Sequence, residues 1–251
     1  MKPEIIPSVS KFTIELLDQR YGKIIHKFAS QSDFEGKDIE KSRALFDFER
    51  EKIIPRRFEV WTCLVGLPMP DDLTIRFHQI VRNVRRIIPA NTPFFAVQQQ
   101  NYHWEVFIIK RPAEQVSAED IRNTPQILHE VFSEQAPFPV VYRGFAITNE
   151  GVVMAKGYGQ FDDLRDKLTR KIPFASSYQS NLGHVSLGRI LRPVGRDKFA
   201  QLKKAVADST NDYYGELSVQ NIKFVHESQW YMEDQEVISD VQLDVGVFTG
   251  T

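Results

Sequence analysis

The 251-residue chain carries 32 Lys+Arg against 33 Asp+Glu, a formal net charge of -1, with 42% hydrophobic and 26% charged residues. This globular composition argues against a disordered chain and against a coat for long nucleic acid, which works by neutralising many phosphates. The lone Cys63 excludes an internal disulfide framework and a multi-cysteine zinc site. No apolar run approaches the ~18 residues of a membrane helix, and the start MKPEIIPSVSKF has no secretory apolar stretch, so a soluble cytoplasmic protein without a membrane partner is expected.

Residues 1–57 read as a helical N-terminal extension, with helices near 10–27 and 37–52 about the linker SQSDFEG, most simply packed on the rest of the fold. From 58 to 67, FEVWTCLVGL is rich in aromatic and β-branched residues and stops at PMP, the mark of a strand and turn. Asp71 or Asp72 then opens a helix whose apolar positions Leu73, Phe77, Ile80, Val81, Val84, Ile87 and Ile88 keep the helical period up to Pro89. A strand region is expected over 94–109, then a helix opened by Ser117 with Asp120 three residues on. Segments 140–147 and 151–158 form a hairpin about Asn149-Glu150-Gly151, followed by a short helix bearing Phe161, Leu164, Leu168 and Ile172. A strand at 183–191, a helix with Phe199, Leu202 and Val206, and strands at 216–225 and 241–248 complete the order. Strand-rich segments followed by helices in both halves imply an α+β fold with antiparallel sheets, outer helices and two lobes.

Charge is less even along the chain than in total. Segments 73–111 and 187–204 each hold six basic residues and one acid, while nine acids and one lysine follow Ala205. Two basic segments suit a small anionic ligand, although solvated helix faces are the ordinary explanation for most such arginines.

Of the six histidines, His26, His78, His129 and His226 lie in patterns that suggest exposure or incidental packing. His103 and His184 share a context. In Tyr102-His103-Trp104-Glu105-Val106 and Gly183-His184-Val185-Ser186-Leu187, each histidine has a polar residue two positions on and apolar residues at the alternating positions. Alternate side chains of a strand share a face, so His103 projects with Glu105 and His184 with Ser186, while Tyr102 and Trp104 turn into the core. Two such strands about eighty residues apart point to one shared cleft.

This arrangement resembles the two-histidine (2H) phosphoesterase superfamily, which includes 2′-5′ RNA ligases that act as RNA 2′,3′-cyclic phosphodiesterases. His184-Val185-Ser186-Leu187 matches the family's His-x-Thr/Ser motif. His103-Trp104-Glu105-Val106 matches in the histidine and its apolar flanks but has Glu where the family has Thr or Ser. The order of elements from Phe58 to Phe248, about three quarters of the chain, also resembles the family. The resemblance implies a bilobed domain over 58–251, with two antiparallel sheets facing a central cleft and helices outside. It further implies His103 and His184 as acid and base on a small nucleotide or short RNA-type substrate, with no cofactor and no metal.

Histidine suits both roles because its ordinary pKa of ~6.5 lies near working pH. In the family the motif hydroxyls donate to phosphate oxygens, a role that Ser186 can fill and an ionised Glu105 cannot. Like charges ~4 Å apart repel by roughly 1–4 kcal/mol in water-like to surface-like surroundings. Glu105 then has three readings: it binds a ribose hydroxyl or base amino group, it holds His103 protonated as the acid and leaves His184 as the base, or it marks a drifted site. The second is preferred here. Arg143 and Tyr158 are further substrate-binding candidates, the one for phosphate and the other for stacking on a base. Arg189 falls on the face opposite His184 unless its strand bulges. The competing function is a non-catalytic nucleotide-binding module with a degenerate site; an interaction protein with two coincidental histidines stands behind it.

Overall fold

Ser10 accepts the backbone N–H of Thr13 at 3.2 Å and so caps α1 (Lys11–Ala29), which buries Thr13, Leu17, Tyr21 and Phe28 along one stripe. The computed structural model describes residues 9–50 and 52–243. The second N-terminal helix, α2 (Gly36–Arg43), is shorter than expected. The chain turns instead into a hairpin of β1 (Phe46–Glu49) and β2 (Lys52–Pro55). The cause is tertiary: Phe46 is buried with its ring 5.0 Å from Phe95 and 5.9 Å from Tyr231, and the alternation of Phe-Asp-Phe-Glu suits a strand.

Two larger antiparallel sheets carry the fold. The first places β5 (His103–Lys110) at one edge, then β3 (Arg57–Gly66), β10 (Asn221–Gln229) and β11 (Asp234–Gln242). The second runs β4 (Phe94–Ala96), β8 (Val185–Ile190), β7 (Val152–Gly159), β6 (Phe138–Ile147) and β9 (Tyr213–Val219). Two stretches read as single strands are in fact shared between the sheets. The 94–109 region breaks at a short 3₁₀ turn into β4 and β5, and 216–225 breaks at Gln220 into β9 and β10. The last strand begins earlier than expected, at Asp234, and residues 244–248 of that expectation lie outside the described residues.

Helix α3 (Asp71–Ile87) lies on the second sheet with α6 (Arg196–Asp208), and α4 (Ala118–Phe132) packs beside β11 and α5 (Asp162–Lys171). Ser117 caps α4 as expected, accepting the Asp120 N–H at 3.0 Å. Strand β7 is buried along its whole length because both faces are covered. On one face Tyr142 of β6 meets Phe77 of α3 edge-on at 5.0 Å, and on the other α1 lies across β6 and β7. The result is an α+β fold of two facing antiparallel sheets with most helices outside, to which the N-terminal segment adds a hairpin and one helix laid on a sheet face.

Candidate functional site

The two histidine strands come from different sheets and meet where those sheets approach. His103 and Glu105 alternate on one face of β5, while Tyr102, Trp104 and Val106 are buried on the other. The outer edge of β5 is not left open. The Gln179 side-chain amide donates to the Ile108 carbonyl at 2.8 Å and accepts its N–H at 2.9 Å, and the Ser176 N–H reaches the Ile109 carbonyl at 2.9 Å. The same segment leads directly into His184.

Arg165 of α5 ties the two motifs together. Buried to 5% exposure, it donates from Nε to the Val106 carbonyl at 2.8 Å, and from one terminal nitrogen to the carbonyls of Glu105 (3.2 Å) and Leu182 (2.7 Å). Gly183 and Gly157 complete the local fit. A Cβ on Gly157 would stand 1.9 Å from the Gly183 carbonyl oxygen, so the chain entering the second motif lies directly against the backbone of β7.

His103, Glu105, His184, Ser186, Arg189, Glu227, Trp230 and Tyr231 line one cavity of about 150 Å³. Larger and more open depressions exist, such as one of about 530 Å³ beside Gly36, Arg43 and Phe48, but they gather no comparable set of titratable groups. Arg189 reaches the cavity because β8 bulges. Val153 pairs with Gly188 while Met154 pairs with Ser186, leaving Leu187 as the extra residue and bringing Arg189 onto the face of Ser186. A terminal nitrogen of Arg189 donates to Ser42 Oγ at 2.9 Å, and its Nε has no partner.

The electrostatics differ from expectation in one respect. The Asn101 carbonyl oxygen lies 2.8 Å from His103 Nδ1, which fixes that nitrogen as the N–H donor and leaves Nε2 free to exchange a proton. Burial pushes His103 below the ordinary histidine value, and the Asn101 carbonyl partly opposes this. His184 is pushed down to about 4, chiefly by burial, then by the charges of Arg165 and His103; its Nδ1 is enclosed without a partner. The group that favours protonated His103 is the Asn101 carbonyl, where Glu105 was expected in that role. The carboxyl of Glu105 is itself raised by burial, against the pull of Arg111, Arg165 and the Thr62 hydroxyl.

Glu227 of β10 has no precedent in the sequence reading. It is 5% exposed, one oxygen accepts the Met232 N–H at 2.9 Å, and burial followed by the charge of Glu105 lifts it to about 8. A carboxyl raised above its unfolded value stabilises fully below pH ~4 and loses that contribution as pH rises to about 8. Glu227→Gln removes the loss, so the variant gains a few kcal/mol on the parent between those limits, read by urea denaturation along a pH series.

Arg143 and Tyr158 do not reach the cavity. They lie on the sheet face that α1 covers, where Asp18 accepts from Arg143 at 2.9 Å and from the Tyr158 hydroxyl at 2.7 Å. The charge segments are likewise dispersed: Arg76, Arg82, Arg85 and Arg86 face outward on α3, and Arg189 is the basic side chain that lines the cavity. Among the described residues no group of three or more His, Cys, Asp or Glu side chains is arranged to hold a metal ion, and no helix is long and apolar enough to cross a membrane.

No family model and no curated protein matches the sequence. Solved structures do match by shape. TT0787 of Thermus thermophilus superposes with a TM-score of 0.54 at 15% identity, covering 73% of this chain and 97% of its own. LigT of E. coli in apo form gives 0.47 at 13% identity, covering 75% of this chain and 99% of its own. Usb1 of Kluyveromyces marxianus with uridine monophosphate gives 0.41 at 12%, covering 74% and 98%. At these identities the likeness is one of fold, and the chain shares the fold of TT0787.

Proposed function

We propose that the protein is a metal-independent phosphodiesterase acting on a small nucleotide-type phosphodiester, such as a 2′,3′-cyclic phosphate or a short 2′-5′-linked oligonucleotide. The observation that carries this is the convergence of His103 and His184, from separate sheets, on one cavity that also holds Ser186 and Arg189. His184, the more strongly depressed of the two, is neutral at working pH and takes the proton from the attacking water. As the water oxygen bonds to phosphorus, the bond to the leaving ribose oxygen breaks, and that oxygen receives the proton from His103 Nε2. The entering anion favours the protonated His103 that this step requires. The Ser186 hydroxyl and the Arg189 guanidinium offset charge on the non-bridging oxygens.

A cavity of about 150 Å³ encloses a phosphoryl group with part of a sugar ring and leaves the nucleobase at its mouth. The four 2′,3′-cyclic nucleotides are therefore expected to differ by less than about tenfold in kcat/KM, since a base outside the pocket contributes little discrimination. The functional test is hydrolysis of those cyclic nucleotides in EDTA, followed by product chromatography. Turnover supports the reading. Tight binding without turnover replaces it with the nucleotide-binding module, a reading favoured by the depression of both histidines in the free protein.

A further inference from the structure

The N-terminal segment meets the cavity at two points. In α2, Asp38 accepts the Asn149 side-chain amide at 2.5 Å and Arg43 donates to the Leu191 carbonyl at 3.2 Å, which lays the helix against the β6–β7 turn and the end of β8. Between them Ser42, fully buried, donates its single hydroxyl proton to the Glu150 carbonyl. Its oxygen is then left as an acceptor, and it takes an N–H from a terminal nitrogen of Arg189 at 2.9 Å. The second point is the turn 230–232. Tyr231 and Met232 stand at φ 65° and 58°, a conformation that L side chains rarely adopt and that neighbouring contacts must hold. Phe46 of β1 supplies one such contact, its ring stacked on Tyr231 at 5.9 Å, and Phe95 supplies another at 5.0 Å. At the end of β2 the Pro55 carbonyl accepts the Gln229 amide at 2.6 Å, and the Glu227 carboxyl accepts the Met232 N–H at 2.9 Å.

Arg189 needs such a tether. A guanidinium fork matches carboxylates as well as it matches phosphates, and the same cavity presents Glu105 and Glu227. The guanidinium bonds to Ser42 instead, and its carbon lies 5.9 Å from the centre of the Tyr231 ring. Burial raises the Tyr231 phenol and Arg189 opposes the rise, so charge and hydroxyl are neighbours. We propose that Ser42 and Phe46 are positioning residues of the cleft: they hold the Arg189 guanidinium and the Tyr231 phenol together, out of ion pairs with the two carboxyls, as a donor pair for the non-bridging oxygens of an anionic ester. The inference rests on the phosphodiester reading above. Ser42 acts through Arg189 and Phe46 acts through Tyr231, which makes the N-terminal segment a working part of the site as well as a cover for the sheet.

The test is a double-variant cycle on the full chain with two readouts. One is kcat/KM for cytidine 2′,3′-cyclic phosphate, and the other is the calorimetric Kd of cytidine 3′-monophosphate, an anion with no diester to cleave. Arg189→Ala is expected to lower kcat/KM about 10²-fold, the scale of one donor to a developing oxyanion. Ser42→Ala is expected to lower it about tenfold, since Arg189 remains but is free to swing to a carboxyl. In the Arg189→Ala background, Ser42→Ala should cost nothing further in either readout. Ser42→Cys keeps the size of the side chain but accepts an N–H poorly, and it should match alanine without opening a hole. Phe46→Leu with Tyr231→Phe forms the same cycle for the other pair. Thermal denaturation of each variant reports the structural share, which is independent of Arg189. Losses that multiply in the double variants, or single variants with the parent's constants, would overturn the proposal and leave the two-histidine reading intact. Binding that follows the cycle in a parent that does not turn over would uphold the donor pair and end the phosphodiesterase reading. A parent that neither binds nor cleaves would end both.

Discussion

Alanine at His184 lowers turnover of a 2′,3′-cyclic nucleotide by about 10²–10⁴-fold, the usual contribution of one positioned acid or base. Alanine at His103 costs a similar factor. The double variant loses far less than the product of the two, because acid and base serve a single displacement. Steady-state kinetics with matched thermal denaturation separate this from unfolding, since both imidazoles border the cavity and neither anchors the core. The pH profile adds a second check. His184 must be neutral to act as base, so kcat/KM falls on the acid side as pH drops toward about 4. Turnover unchanged in either single variant would exclude the mechanism.

Replacing Arg165 by leucine has the largest expected effect on stability, a loss of about 3–5 kcal/mol. Three backbone carbonyls, those of Glu105, Val106 and Leu182, would lose their guanidinium donor inside the fold. Each buried acceptor left without a partner costs roughly 1–3 kcal/mol. Trp104 gives only partial relief through its own 3.4 Å bond to the Leu182 carbonyl. Lysine at 165 restores the charge but not the fork that reaches both strands, so it recovers part of the loss. Chemical denaturation of the three proteins measures this, and equal midpoints would show that Arg165 is not the tie between the motifs.

The parts of the site legible in the sequence are those fixed by strand alternation. His103 with Glu105 and His184 with Ser186 share faces because neighbouring side chains in a strand must alternate, and the burial of Tyr102 and Trp104 follows from the same rule. What alternation cannot supply is set by distant partners. The bulge at Leu187 exists in the pairing of β8 with β7, so it took the register to bring Arg189 to the cavity. Glu227 feels the charge of Glu105 from the far side of β3, and neither its own strand pattern nor its neighbours mark it as anything but a charged residue beyond the expected strand 216–225.

Arg143 and Tyr158 show the converse. Their strands are legible in the sequence, but the face they occupy is claimed by α1 through Asp18. The breaks at 97–102 and at Gln220 leave no mark in the sequence for a related reason. Neither interrupts the apolar pattern with proline or glycine, and each becomes necessary only when one run of chain must serve two sheets. The hairpin at Phe46–Pro55 likewise depends on a cavity furnished by Phe95 and Tyr231, far along the chain.

The docking of the N-terminal segment has a consequence for synthesis. Arg20 bonds to Asp162, Asp38 receives the amide of Asn149, and Ser42 holds Arg189. These partners emerge from the ribosome more than a hundred residues after the segment itself, on the order of ten seconds at bacterial-like elongation rates. Throughout that interval Leu17, Tyr21 and Phe28 have no sheet to cover, and the newborn chain carries an exposed amphipathic helix that a chaperone could hold. A late stage of maturation is then the closing of this segment over strands made after it, and the guanidinium that faces the cleft is secured only at that moment.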